Sequence, residues 1–397
     1  MTTINGSPPC CKSELDLFYS LPTNTSIISS GYTNVECTPL SGTEENFKID
    51  ITGNDEYIDL NDVYLKLEVN LTKADGTPMG ATPTVGVINN LAHSLFRKIE
   101  LSIGKGLEKK LVEIGSSHYG YKAYLLNLLN YGEDAKESWL QSGLFYKDEA
   151  GQFDNIAVEK FTKTKIKADS MEVSQSFEIK TEVAVNPGFL TRRAHFIDGN
   201  GDLKLIIPLH LDLLHSNRFL INHMSLFFEF ERNKDSFILM GTGDFKISIK
   251  KASIRVRKCQ IHESVKLAHI KALQISPVIY PLRQNKIFVH TIDSGSMEYS
   301  VSSLNGKIPN KIVCGLVLDS AYNGTLNENP FNFQDYDLSY ITLKINNQDR
   351  VIKINAAKND FIEGFHSINE SLNLYGQMGN GIRKSENLFK GQLFVLF

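Results

Sequence analysis

The sequence predicts an all-β chain, two antiparallel sandwiches in tandem with short helices inserted. Three observations carry that expectation. Apolar residues recur with period two in many short runs, the runs do not alternate with helices as a parallel sheet requires, and 397 residues suffice for about two domains. Hydrophobic residues make up 42% of the chain, with 23 Phe and 15 Tyr but one Trp, enough to fill sizeable cores.

Residues 1–46 are rich in Ser, Thr, Asn, Pro and Gly, with apolar residues only in clusters such as Leu15, Leu17 and Phe18. This composition predicts an arm lying on something else. From Phe47 the period is two. Phe47, Ile49 and Ile51 alternate with Lys48 and Asp50, and Gly53-Asn54-Asp55 supplies a turn. Val63, Leu65, Leu67, Val69 and Leu71 then give one apolar face and one wet one. Further strands are expected at Lys98–Ile103, Phe177–Val185, Leu203–Leu209 and Leu226–Glu231. A helix is expected where Tyr121, Tyr124, Leu125 and Leu128 share a face, closed by Gly132, with a second around Asp134–Leu140.

Arg232–Asp244, containing Gly241 and Gly243, reads as a seam between domains. Beyond it Phe245, Ile247 and Ile249 occupy odd positions but Ala252, Ile254 and Val256 even ones, which places a bulge or turn near Lys250–Lys251. Strands are expected at Lys286–Ile292, Lys311–Leu318 and Leu338–Ile345, the last joined through Asn346–Asp349 to Val351–Ile354 as a hairpin. Phe361, Phe365, Ile368 and Leu372 predict a helix capped by Asn359 or Asp360 and ended by Gly376. The expected organisation is an arm over 1–46, a first sandwich over 47–240 and a second over 241–397.

Composition and motifs argue against most chemistry. The net charge of −3 asks for no nucleic-acid partner. Cys10, Cys11, Cys37, Cys259 and Cys314 are odd in number and fit neither a disulfide framework nor a zinc site, so reduced thiols are expected. Met1–Lys12 lacks the pattern of a signal peptide, and no apolar run is long enough to span a bilayer. The N-x-[ST] sequons at Asn5, Asn24, Asn70, Asn323 and Asn369 are therefore expected bare.

Asp293-Ser294-Gly295-Ser296 looks like an aspartic-protease turn, but such an enzyme needs a second carboxylate sharing its proton, and the chain has no second copy. A polar turn after a strand is expected instead. His210, His215 and His223 beside Asp212 have no metal-ligand spacing. Gly104-Lys105-Gly106, Gly241-Thr242-Gly243 and Gly379-Asn380-Gly381 lack a phosphate-loop context and read as turns. Of the basic cluster Lys246, Lys250, Lys251, Arg255, Arg257 and Lys258, three residues (Lys251, Arg255 and Arg257) would share one strand face. A nucleic-acid contact there is weighed against a solvated or edge strand, and the latter is expected. No catalytic residue, metal site or cofactor is expected.

Several segments carry a family resemblance. Tyr57-Ile58-Asp59-Leu60-Asn61-Asp62, continuing through Val63-Tyr64-Leu65-Lys66-Leu67 and the Ala74-Asp75-Gly76 turn, resembles the opening of the first jelly roll in Polinton (Maverick) and adintovirus major capsid proteins. Asn89-Asn90-Leu91-Ala92-His93-Ser94-Leu95-Phe96 is similar to a hallmark of that family. So are Ser13–Phe18, Tyr119–Leu125, Ile279–Leu282, Ile308–Val313, and Tyr322–Thr325 followed by Asn329–Phe333. The match is collinear from about Ser13 to Phe397, and only Thr191–Phe196 follows it loosely.

The resemblance implies a tandem double jelly roll, hexon-like, with two eight-stranded sandwiches. It implies a homotrimer forming pseudo-hexagonal capsomers of an icosahedral shell, with neighbouring capsomers, penton and minor capsid proteins as partners, and location in the virion. The connections Gly104–Ser117, Gly143–Val173 and Tyr322–Tyr336 are expected to build tower and intersubunit contacts. Leu393–Phe397 is an apolar strand after which family members normally continue, so the second roll is expected to lack its last strands. The rival expectation is a cytosolic carbohydrate-binding or hydrolytic β-sandwich protein. It requires clustered exposed aromatics and a carboxylate pair at a cleft, whereas Trp139 falls in a helical stretch.

Overall fold

A computed structural model describes residues 25–37, 46–80, 84–105, 108–113, 118–156, 162–164, 176–178, 185–302, 309–345, 348–355, 358, 360–374, 382 and 395–396. The chain is mostly antiparallel β-sheet with a few short helices, the all-β class expected.

Through residue 261 the strands are β1 (Ile27–Glu36), β2 (Asn46–Ile51), β3 (Tyr57–Lys73), β4 (Val85–Val87), β5 (Phe96–Lys105), β6 (Glu108–Glu113), β7 (Thr162–Thr164), β8 (Ser176–Glu178), β9 (Asp202–Pro208), β10 (Phe219–Leu220), β11 (Ser225–Arg232), β12 (Leu239–Gly241) and β13 (Phe245–Ile261). Between them lie helices α1 (Leu91–Ser94), α2 (Tyr119–Asn130), α3 (Glu133–Lys136), α4 (Pro187–Asp198) and α5 (Asp235–Ile238).

One sheet runs β1-β13-β3, with β9 and β10 also on β3, and the other runs β2-β11-β5-β6. The chain changes sheet between β2 and β3, between β3 and β5, and again between β9, β11 and β13. Pairing is nested: β2 meets β11, and within that pair β3 meets β9. This is the winding of a jelly roll. The cause is visible in β3, where Val63, Leu65, Leu67, Val69 and Leu71 are all buried while the residues between them are partly exposed. Ile49, Phe228 and Phe230 oppose them from the other sheet in the same core, with Phe47 stacked on Phe230 at 4.7 Å.

The phase change at Lys250–Lys251 is a real bulge: Ile249 pairs with Val69 and Lys251 with Glu68, leaving Lys250 unopposed. The expected boundary at 240/241 falls just before β13. Phe237, Ile238, Leu239 and Met240 are buried, and β13 is the strand between β1 and β3, not the start of a second sandwich. Ile247, Ala252, Ile254 and Val256 join the same buried core as the residues of β3 and β5.

β1 lies along β13 from Ile27 to Glu36 as the outer strand of its sheet. Leu15, Leu17, Phe18, Cys10 and Cys11 lie outside the described residues. Of the expected Phe177–Val185 strand, β8 covers the start and residues 179–184 lie outside the description. α4 was not expected. Asn186 caps it, accepting from Phe189 N, and Pro187 opens it where a missing N–H costs nothing. Gly104–Ser117 holds strand β6, hairpinned on β5, rather than a long loop.

Beyond Ile261 come α6 (Glu263–Leu273), β14 (Val313–Cys314), α7 (Asp319–Asn323), β15 (Tyr340–Ile345), β16 (Gln348–Lys353), α8 (Ile362–Leu372) and β17 (Val395–Leu396). The β15–β16 hairpin is as expected. Lys286–Ile292 is not a strand: it is mostly exposed and pairs with no strand among the described residues, because propensity alone supplies no hydrogen-bonding partner. The strand at Lys311–Leu318 shrinks to Val313–Cys314, paired with Leu396 and Val395. α8 begins after Phe361 with no side-chain cap and ends at Asn373 in the left-handed region, φ 55°, while Asn359 and Gly376 lie outside the described residues. α6 had no counterpart in the sequence reading.

Candidate interaction surface

The histidines singled out in the sequence are separated by the fold. His210 is buried under α2, His215 lies on the surface with its ring 5.9 Å from that of His210, and exposed His223 sits 3.9 Å from Asp55. His210 instead joins His93, the rings stacked at 4.7 Å. Asn127 Nδ2 donates to Asn90 Oδ1 (3.1 Å), which leaves Asn127 Oδ1 to accept from His210 Nε2 at 2.7 Å. The Tyr119 hydroxyl accepts from His210 N and so has its hydrogen free for His93 Nδ1 at 3.0 Å. His93 is therefore held neutral by its acceptor role. Burial pushes His93 down to about 3 and His210 well below the ordinary histidine value. Burial raises the Asp212 carboxyl to about 6, and Asn285 donates to it at 2.9 Å. Among the described residues no group of His, Cys, Asp and Glu is arranged to hold a metal ion.

A second buried polar set went unnoticed in the sequence. Arg192 on α4 is fully buried and donates to Val87 O (3.1 Å), Tyr146 O (2.9 Å) and Asp148 Oδ1 (2.8 Å). Asn89 Nδ2 donates to Tyr146 O and to Asp148 Oδ2. The set locks α4, β4 and the 144–148 loop together. An Arg pair among the apolar residues Phe189, Leu190, Ala194 and Phe196 of one helix is the signal that could have revealed it, since such charges are buried only when paired.

The segments that carry the family resemblance meet here. Asn89, Asn90, His93 and Ser94 are buried in these networks, Tyr119 and Tyr124 come from α2, and Phe331 stacks on Tyr124 at 4.2 Å. Tyr322 is bonded to His118, and Asp154 accepts from Asn329 N and Asn332 Nδ2, each at 2.6 Å. Tyr322–Tyr336 is thus in large part a packed connection, with Phe331 and Phe333 buried, not a free tower loop.

Asp293-Ser294-Gly295-Ser296 is an exposed turn closed by Ser296 N to Asp293 O, with Gly295 at φ 84°. Gly241 and Gly243 also sit at positive φ, and residues 106 and 379–381 lie outside the description. The basic cluster lies on an inner strand rather than an edge, and three of its six residues are ion-paired. Lys250 pairs with Asp202, Lys251 with Glu36, and Arg257 with Asp59 and Asp62, while Arg255 lies 4.0 Å over the Tyr32 ring. Trp139 is half-exposed and meets Tyr131 edge-on.

The surface without an internal role is the strap from α6 to Val301. Leu267, Ile270, Ile275, Ile279, Phe288, Val289 and Met297 are exposed there, Ile275 at 88%. Tyr57 to His269, Lys266 to Asp55, Tyr280 to Ile221 N and Phe219 O, and Asn285 to Asp212 pin it to the first roll. Exposed apolar side chains concentrated in one segment make it a candidate contact surface. No helix among the described residues is long and apolar enough to cross a membrane.

No family model matches the chain. It is 25% identical over 341 residues to an uncharacterized protein of Caenorhabditis elegans, a match covering 81% of this chain and 72% of that protein. Among solved structures it is similar to a chain of the Sputnik virophage (12% identity, TM-score 0.41, 65% of this chain and 53% of that one). It is also similar to the mavirus major capsid protein (10%, TM-score 0.29, 79% and 56%) and the Faustovirus major capsid protein (9%, TM-score 0.34, 65% and 58%). The chain spans little more than half the length of these solved chains.

Proposed function

We propose that this chain is a viral major capsid protein of the Polinton and adintovirus type, a structural subunit that assembles with copies of itself and is not an enzyme. One observation carries the reading: the segments that resemble the family converge in space and serve packing. Asn89–Phe96, Tyr119–Leu125 and Asn329–Phe333 supply buried hydrogen bonds and stacked rings around α2, and none of them lines an open cleft. A family whose hallmarks are buried structural knots uses its fold as a building block, with the surface left for contacts.

In the full reading residues 262–397 belong to a second jelly roll, and three subunits form a pseudo-hexagonal capsomer of an icosahedral shell. Penton and minor capsid proteins complete the virion, which is where the protein resides, and the reading assigns no metal, cofactor or specific nucleic-acid site. Light scattering on purified protein is expected to give three times the 44.6 kDa chain mass, with ring-like particles in micrographs. A monomer at tens of micromolar that binds glycans would replace this reading with the carbohydrate-binding one.

A further inference from the structure

The Ser264–Ile292 part of the strap and a second surface are opposite in charge. From Ser264 to Ile292 there is no acidic residue but Lys266, Lys271, Arg283 and Lys286 are present; from Ile312 to Leu343 there is no Lys, Arg or His but Asp319, Glu328, Asp335 and Asp337 are present. Lys266 is engaged with Asp55 and Glu263, whereas Lys271, Arg283 and Lys286 are exposed. The acidic stretch exposes Leu318, Tyr336 and Tyr340 beside Asp319 and Asp337. Both stretches therefore combine exposed apolar area with charge of one sign.

Each is anchored elsewhere on its own molecule. The strap is tied to Asp55, Tyr57, Phe219 and Asp212, and the acidic stretch is tied to Tyr124, His118 and Asp154. Among the described residues no hydrogen bond or ion pair joins the two.

We infer that the occupant of the strap is the acidic 319–340 surface of a second copy of this chain. The contact is heterologous, with two different surfaces on every copy, so it repeats from copy to copy and closes into a ring. Apolar contact supplies the affinity, and the opposed charges fix the register and speed the encounter. The inference rests on the shell-subunit reading, which requires self-association.

The test uses full-length protein and two charge-reversed variants. One carries Lys271→Glu, Arg283→Glu and Lys286→Glu, and the other Asp319→Lys, Asp335→Lys and Asp337→Lys. Each variant alone is expected to associate about 100-fold more weakly than the parent, with unchanged circular dichroism. Mixed in equal amounts, the two variants are complementary at both contacts, one native and one reversed, and are expected to co-assemble in strict alternation into species with even numbers of chains, starting at twice the 44.6 kDa chain mass. A chain carrying both sets is expected to regain the parent's assembly. A parent oligomer indifferent to both reversals overturns this inference alone, as does a strap variant that assembles normally but no longer retains a DNA oligonucleotide. A parent that never self-associates overturns the shell-subunit reading with it.

Discussion

Phe331 lies face to face on Tyr124, ring centroids 4.2 Å apart and planes 4° from parallel, although 207 positions separate them in the sequence (331 minus 124). Phe331 is fully buried, and Tyr121 and Phe237 meet it edge-on. The C-terminal connection is thereby stapled onto the helix of the first roll. Phe331→Ala is expected to cost about 3–5 kcal/mol. Equilibrium urea denaturation of parent and variant measures it, and a loss below about 1 kcal/mol would mean that the staple does not form.

Arg192 and Asp148 behave as one unit. Replacing Arg192 with Met leaves the carboxylate buried with only Asn89 to satisfy it, and Asp148→Asn leaves a buried guanidinium. Either change is expected to cost roughly 3–5 kcal/mol, and the two costs are expected not to add. A double-mutant cycle on thermal stability reads the coupling, and simple additivity would contradict the geometry.

Acid should loosen the fold through the stacked histidines. Their folded values are lowered, so between the ordinary value near 6.5 and the folded one the unfolded chain binds the proton and the native chain does not. Stability is then full above about pH 6.5 and falls on acidification by roughly 1.4 kcal/mol per pH unit for each histidine. Asp212, raised to about 6, pulls the other way until the pH drops below the ordinary carboxylate range. His93→Gln is therefore expected to flatten the pH dependence between pH 6 and 4 relative to the parent. Denaturation midpoints across that range decide it, and an unchanged slope would show that His93 titrates normally.

Gly86 has no room for a methyl group. A Cβ there would come within 2.6 Å of Phe189 Cζ and 3.2 Å of Arg193 Cβ, and Phe189 is itself buried. Gly86→Ala is expected to destabilise by about 1–3 kcal/mol by pushing α4 off β4. Thermal melts would reveal the loss, and a neutral result would mean that α4 can shift freely.

Much of the first roll was legible because its strands are wet on one side. Alternation at Val63–Leu71 and the phase change at Lys250 each survive as a strand and a bulge, since period two is a local consequence of one buried face. The pairing of β13 with β3 was not legible. Glycines 241 and 243 imitate a linker, while the evidence against one is pairing of β13 with residues about 190 positions earlier, which no local pattern encodes. Ile287–Ile292 shows the reverse error, a strand composition without a partner. In the candidate surface the histidine group was visible as composition, yet the residue that completes it, His93, lies 117 positions before His210 and only the fold unites them.

The long pairing of β3 with β13 also sets a timetable for the newborn protein. β3 is complete at Lys73, but its partner is not until Ile261, 188 residues later. At about 5–20 residues per second, a ribosome takes roughly 10–40 s to supply it. Throughout that wait β3 presents an unfilled edge of buried-type side chains, the kind of template on which nascent chains stick to one another. The yield of this protein from a cell is therefore expected to depend on chaperone supply as well as on the strength of the finished fold.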